Sequence, residues 1–599
     1  MALLIKPIPR TATLVVAAAD AYAKSKQQAD FVCKGSDDQE TIQGALNALP
    51  AVGGKVKLTE GSFKISKPTA DYNSIVIPEN CELEGFGSGT ILEAQNQCNI
   101  ITMGNFTRVA NMLLDGKSRT GWQNVPLVLP ATKFFMVVEN VGVRNSGSDN
   151  IAIAGNVCFL RNIRSSNAGS AAGYYGSGIQ LDSGAKNVEI NNAYVFDCLL
   201  GTVVYQGAIY FSTHDGEIGA QNVVFRGCHI YNSYTGFHFA GAGTPAAKPK
   251  NIIIDDCIIE SQSAAGRSAI EIDTGFGERI LLSNIKILSP VGGAIRTNNN
   301  DWITLENVYV YNSGITAISL GNGAGSHQKA IGCEVETTIN GHGMMIYSPG
   351  AQVIGCRVDT ATGANMQNFI VQARATLTGC YSKAADNIGI YVNGAVNVQL
   401  IGCVTEDSDS YGIFLAGDYG IVQGCKSISE VVGFRWNGSY LTVRNNDFHD
   451  STTPMARVGG ACNNIDENIG QNIALIEVHR YVKNTSGAQR VAGDVVSLKA
   501  VAAGNEVAVP AAAGEDNVYG MVAETINDNA WGYVQVKGKT TVLKSTNAGG
   551  AIAIGDTLCT EIGVRAQLAV AGGQVFARAL EACAAADCTI DAFIKSPWD

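Results

Sequence analysis

The chain has 599 residues, of which only 16% are charged, with 68 glycines and a formal net charge of -11. Typical globular domains carry about 25% charged residues and about 7% glycine, so this composition favours many short strands and turns. The acidic balance argues against a nucleic-acid partner, whose binding surface would leave a basic excess.

Residues 1–28 read as an N-terminal arm. They have no charged segment ahead of a long apolar run, and no later stretch approaches the ~18 apolar residues of a membrane span, so the expectation is an unsecreted chain without membrane contact. A helix-period segment then runs from Asp38 to Leu49, followed by strand patterns in "GGKVKLTEGSFKI". From there to about residue 472 one pattern returns: apolar, variable, apolar, variable, then Gly or Asn, then a small residue. The small residue falls at Val141, Ile163, Ala193, Cys228, Cys257, Ile285, Val308, Cys333, Cys356, Cys380, Cys403, Cys425 and Asn446. Phe86 and Met112 extend the series backward. From Ile285 onward the steps are 21 to 25 residues, and a fixed period in that range marks a solenoid. A second strand recurs in each period ("SGIQLD", "GAIYFS", "TGFHFAG", "SAIEID", "TAISLG", "YGIFLAG"), with no helix between. The expected fold is therefore all-β, a right-handed parallel β-helix over residues 29–472, its repeating Cys an inward ladder of small hydrophobes. Sixteen cysteines without CxxC pairs, the closest being Cys583 and Cys588, point to reduced thiols and to no metal or other cofactor.

The stretch "ADFVCKGSDDQETIQGALNALPAVGGKVKLTEGSFKISKP" resembles the N-terminal cap of the pectate-lyase-like β-helix superfamily. That resemblance implies a first coil sealed by a short amphipathic helix, and it leaves function open, because enzymes, adhesins and viral spikes share the fold.

Alternation places Gln180, Tyr210, His238, Glu271, Arg296, Ser319, Met345, Tyr391, Phe414 and Arg435 outward in one column, and Arg226, Asp255, Ser283, Glu306, Ile331, Ile354 and Ile401 in another. Tyr210, His238 and Arg296 are the candidate glycan-binding residues. Catalytic candidates are Asp255 and Glu306, two coils or roughly 9.6 Å apart at the strand spacing and so near the separation of an inverting glycosidase, and Glu271 between His238 and Arg296. "DDC" at Asp255 and "GHG" at Gly341 are several coils apart and lack the other polygalacturonase signatures. The "GYYGSG" loop around Tyr174 is a possible sugar-stacking segment. Ile331, Met345, Ile354, Tyr391, Ile401 and Phe414 form an outward apolar set, which monomers rarely expose, and are the expected interface of a homotrimer.

After a linker at 473–491 the period stops, and residues 492–599 read as a separate β domain. Gly493-Asp494, Trp531-Gly532-x-Val534-x-Val536, Ala551-Ile552-x-x-Gly555-Asp556-x-Leu558 and Ala577-x-Ala579-Leu580-Glu581 resemble a family of small domains in tailed-phage capsid decoration proteins. The resemblance implies a barrel or tulip that trimerises and attaches to the major capsid protein or another virion protein. The combined expectation is a virion structural protein, made in the host cytoplasm, whose projecting β-helix contacts cell-surface polysaccharide. The alternative is a tailspike depolymerase, a polysaccharide hydrolase or lyase.

Overall fold

The computed structural model describes residues 12–457 except 68–71, 120–123, 170–175, 199–206, 215, 243–246, 322–324 and 364, and beyond them 462–466, 478–484, 488–492, 494–498, 506–508, 518–522, 527, 531–546, 557–560, 566–568, 577–579 and 587–594. Tyr174, Gly493 and Cys583 lie outside the described residues. Two compact units divide the chain, residues 1–391 with 407–409, and residues 392–406 with 410–599.

The first unit is a parallel β-solenoid. One coil shows the pattern: strand Lys250–Asp255, a turn at Asp256, inward Cys257, strand Ile258–Glu260, a second turn at Ser261, a loop, and strand Ser268–Ile272. Each strand pairs in parallel with its counterpart one coil on, Ile252 with Ile280, Ile259 with Ile287 and Ile270 with Ile295. Six hydrophobic side chains from such positions, including Ile254, Ile270 and Ile272, are fully buried. Alternation alone produces this, because successive side chains of a strand point to opposite faces.

The turn before each inward residue explains the returning Gly-Cys. Asn111, Asn140, Asn162, Asn192, Gly227, Asp256, Asn284, Asn307, Gly332, Gly355 and Gly379 all have φ between 51° and 60°. Only Gly, Asn and Asp adopt that left-handed region readily. The asparagines also bond along the stack, Asn140 donating to Asn111 at 3.0 Å and Asn162 to Asn140 at 2.9 Å. The residue that follows must fit an inward corner, and a cysteine does so while its thiol reaches back to the carbonyl two residues earlier. Cys228 contacts Arg226 O at 3.6 Å, Cys257 Asp255 O at 3.2 Å, Cys333 Ile331 O at 3.7 Å and Cys356 Ile354 O at 3.6 Å. Twelve cysteines from Cys33 to Cys425 are buried, and burial pushes the Cys158 thiol up to about 12, which leaves that thiol unreactive.

Two sequence readings change at the N-terminal end and one holds. Strand Thr13–Ala17 pairs with Gly54–Leu58, so the sheet already begins inside the stretch read as an arm. The helix spans Asp38–Asn47 and buries Ile42, Ala45 and Leu46 against the first coil, as its periodicity predicts. Phe86 does not continue the inward series: it is 68% exposed, and Thr90 occupies the buried place. Four residues, Phe86 to Gly89, are inserted there, since Glu84 pairs with Ala110 but Ile91 with Leu113, and Thr90 holds the insertion by accepting from Phe86 N at 2.7 Å and donating to Thr59 O at 2.7 Å.

In the second unit the same coil recurs, with Gly402, Gly424 and Asn445 at φ 60°, 63° and 54° and Cys403 and Cys425 inward. Its later part is a separate, mostly antiparallel sheet of strands between Val478–Asn484 and Asp587–Ile594, centred on the long strand Trp531–Thr546. The motif runs at 531–536, 551–558 and 577–581 each contain or overlap a strand, and Val478–Asn484, within the expected linker, belongs to this sheet through its antiparallel pairing with Trp531–Thr546.

Cys403 has no solvent exposure, so Cys403→Arg places an unpaired charge in the stack at a cost of several kcal/mol. The expected outcome is an insoluble or unfolded chain, whereas Cys403→Ala stays folded with a loss of about 1 kcal/mol. Denaturant melting of the two variants checks this, and a normally melting arginine variant contradicts the inward ladder.

Candidate functional site

The outward column on the third strand of each coil is a true ladder. Gln180 lies over Tyr210, Tyr210 over His238, His238 over Glu271, Glu271 over Arg296, and Arg296 over Ser319. The expectation that these side chains are exposed is corrected by their burial: Tyr210 is 5% exposed and His238 and Glu271 are 0% exposed. Facing outward from a coil is not the same as reaching solvent when a neighbouring segment folds over the strand.

For Glu271 part of that cover is visible. Arg267, in the loop before its strand, donates from Nη1 to Oε1 at 2.9 Å, and Arg296 reaches the same oxygen from the next coil. A carboxylate leaving water must regain its hydration energy from such partners, and here two guanidiniums supply it. His238 stacks at a tilt on Tyr210, 5.7 Å between ring centroids, and its Nε2 lies 3.4 Å from Asp273 Oδ2. Burial works to raise the Asp273 carboxyl, but its bond to His238 and the charges of His238, Arg267 and Arg296 outweigh burial, so its pKa falls below the usual carboxylate range. His238, Glu271 and Asp273 have the spacing of a metal-binding set. Glu271, however, is already shared between two arginines, and a divalent cation would face both positive charges, so the cluster reads as an ion-pair network.

One end of the ladder carries residues that the sequence reading passed over. Asp149 is buried and accepts from Ser177 N at 2.7 Å. The Gln180 amide, with its nitrogen toward Asp149, donates to the same carboxylate. Burial, and to a smaller extent the nearby Asp182, push the Asp149 carboxyl up to about 7, against the Ser177 N–H. Asp149 thus holds a proton near neutrality while Asp273 is anionic. The two polar ends are three strand steps or more apart, about 14 Å at the strand spacing, beyond the ~9.5 Å that a hydrolytic carboxylate pair spans. Asp149 with Asp182 is the acid–base combination this face brings together. No periodic signal marks either residue, because each sits just outside a strand, before Ile151–Ile153 and after Ile179–Leu181.

Asp255 and Glu306 lie on a different sheet from Glu271, stacked through Ser283 as expected. The Asp255 carboxylate accepts from Ser283 Oγ at 2.8 Å and Asn284 Nδ2 at 3.0 Å. The Ser283 bond is the main cause of its lowered pKa, and a group so held is a poor proton donor. The apolar set divides between faces. Ile331 and Ile354 neighbour each other on one sheet, followed there by Thr378. Met345 lies on the other sheet beside Ile370, and Tyr391 is half-buried in that unit. In the second unit Ile401 is half-buried beside Gln423, and the Arg435 guanidinium lies 4.9 Å from the Phe414 ring.

No protein-family model matches the chain, and no curated protein matches it. Among solved structures it is similar to pre-mature bacteriophage phi29 gene product 12, at 12% identity over 94% of this chain and 97% of that one, with a TM-score of 0.44. It is also similar to a tailspike protein mutant of E. coli bacteriophage HK620 in complex with pentasaccharide, at 10% identity over 94% and 89% of the chains and a TM-score of 0.41. The A-module of an Azotobacter vinelandii mannuronan C-5 epimerase follows at 13% identity over 73% and 96%, with a TM-score of 0.26.

The raised Asp149 pKa has a thermodynamic consequence. Between the ordinary carboxyl range and about 7 the folded chain binds more protons than the unfolded one, so stability falls as pH rises through that window. Thermal melting should therefore give a Tm that declines from pH 5 to pH 8, with Asp149→Asn removing part of the decline. Equal pH slopes in the two proteins contradict the assignment.

Proposed function

We propose that this chain is a virion appendage protein whose β-helix binds a polysaccharide of the host surface along the Asp182–Asp273–Arg296 rim. The observation that carries the reading is the charge network of the third-strand ladder. Its buried members, His238 and Glu271, hold Asp273 and Arg296 in fixed positions where these remain part-exposed, with side chains 27% and 38% accessible. A rigid row of carboxylate acceptors and guanidinium donors suits a hydroxyl-rich polymer, because pre-organised groups lose little freedom on binding. Tyr210 and His238 then support the rim from beneath. The terminal β domain serves as the trimerising anchor to the major capsid protein or another virion protein. The basis is its Gly-Asp turns and the strand beginning Trp531-Gly532, and the exposed Ile354 with the half-buried Ile331, Met345, Tyr391, Ile401 and Phe414 supply trimer contacts.

A second reading, a depolymerase, is favoured by one observation: Asp149 holds a proton near neutrality beside Asp182, the arrangement a general acid and its partner base require.

Arg296→Ala should lower binding to an array of bacterial capsular and cell-wall polysaccharides about tenfold, roughly 1.4 kcal/mol, in a chain that is still folded at the assay temperature though its Tm is lowered by the loss of one of the two guanidiniums on Glu271. Unaltered binding overturns the rim. Release of new reducing ends from any polysaccharide of the array, abolished in Asp149→Asn, establishes the depolymerase instead.

A further inference from the structure

The turn that precedes the first strand of each coil carries a second left-handed column. In the first unit it runs through Asn187, Asn222, Asn251, Arg279, Trp302 and His327, φ 53° to 59°. In the second unit it includes Asn397, Tyr419 and Tyr440, φ 57° to 61°. Asparagine suits such a turn and closes it by amide bonds along the stack, Asn222 to Asn187 at 3.0 Å and Asn251 to Asn222 at 2.9 Å. An aromatic residue does not suit it, because a bulky side chain at positive φ is a steric outlier.

Three places nevertheless have a pair of aromatics there: Phe106 and Phe135, φ 55° and 58°, stack at 5.4 Å and 15°, and the other two pairs are built alike. Trp302 and His327 stack at 4.1 Å and 4°, and Tyr419 and Tyr440 at 4.9 Å and 6°. In each of these two pairs an aspartate precedes the first ring and a serine the second. Asp301 Oδ1 accepts from Ser326 N at 2.9 Å, and Asp418 Oδ1 from Ser439 N at 2.6 Å. The rings face water: Trp302 is 51%, Tyr419 54% and Tyr440 45% exposed. Stacking returns less than the strained turn costs, and the asparagine turns show that the solenoid closes without the rings. Backbone strain of this kind gathers at ligand sites.

We propose that Trp302–His327 and Tyr419–Tyr440 are two sugar-stacking platforms for a neutral polysaccharide, separate from the Asp182–Asp273–Arg296 rim. The C–H face of a pyranose packs on an exposed ring, and its hydroxyls donate to the aspartate beside that ring. Asp418 repels an anionic polymer, Asp301 does so less because Lys248 Nζ lies 4.0 Å from its Oδ2, and the chain's net charge of -11 also disfavours one, so the occupant is an uncharged one. Each platform lies within its own unit, and binding at one does not require the other.

The test is retardation of the full-length chain in native gels cast with dextran, laminarin, galactomannan or yeast mannan. At least one of these polymers should retard the wild type. Trp302→Asn and Tyr419→Asn, which install the residue native to this turn, should each weaken retardation threefold or more, the double variant tenfold or more, with Tm equal or higher. Arg296→Ala tested on the same gels separates the two surfaces, because failure of the rim leaves these platforms binding. Absence of retardation by all four polymers, or variants that migrate like the wild type, overturns the proposal. So does a change of oligomeric mass in light scattering without a change in retardation, which assigns the rings to a contact between copies.

Discussion

Stacking of coils about 4.8 Å apart makes every residue the neighbour of its own counterpart, and the rest of this structure follows from that constraint. A side chain that fits once must fit again one coil on, so inward positions become ladders of Ile, Val and Cys. A turn that bends once must also bend alike in the next coil, which places Asn, Asp or Gly at φ near 55° before the inward cysteine column. Where Gly takes the turn, Cys most often follows, and its weak S–H bond to the carbonyl two residues back offsets some of the cost of burying that carbonyl.

The same constraint shapes the outer face. Charges in one column are held at hydrogen-bond reach of the next coil, so they are either alternated or shared. The ladder uses both solutions: Glu271 is shared by Arg267 and Arg296, and His238 lies against Asp273. Asp149 is the exception, a buried carboxyl whose pKa is pushed by burial up to about 7. Side chains fixed this way cannot relax when a ligand arrives, which favours recognition by a rigid rim over induced fit.

The solenoid, the cap helix and the inward cysteines were legible in the sequence because each is periodic, and periodicity survives without knowledge of neighbours. The terminal strands were legible for the same local reason, since Trp531 to Val536 alternates cleanly. Burial of Tyr210, His238 and Glu271 was not, because alternation reports only which way a side chain leaves its strand, while the loop carrying Arg267 decides whether water reaches it. Phe86 misled because four inserted residues shifted Thr90 into its place. Asp149 and Asp182 sit beyond strand ends, where no repeat marks them. Trp302 and Tyr419 carried no pattern until the positive φ of their turns showed how unusual an aromatic is there.

The central claim is that the outward ladders of a rigid β-helix form the polysaccharide-binding surface. It is tested most directly by a crystal structure of the chain soaked with an oligosaccharide of the polymer it binds most tightly. The account predicts saccharide in contact with Asp182, Asp273 or Arg296 and coil positions unchanged by binding. Saccharide bound only against the Ile331–Ile354 face, or a ladder rearranged to admit it, would contradict the account.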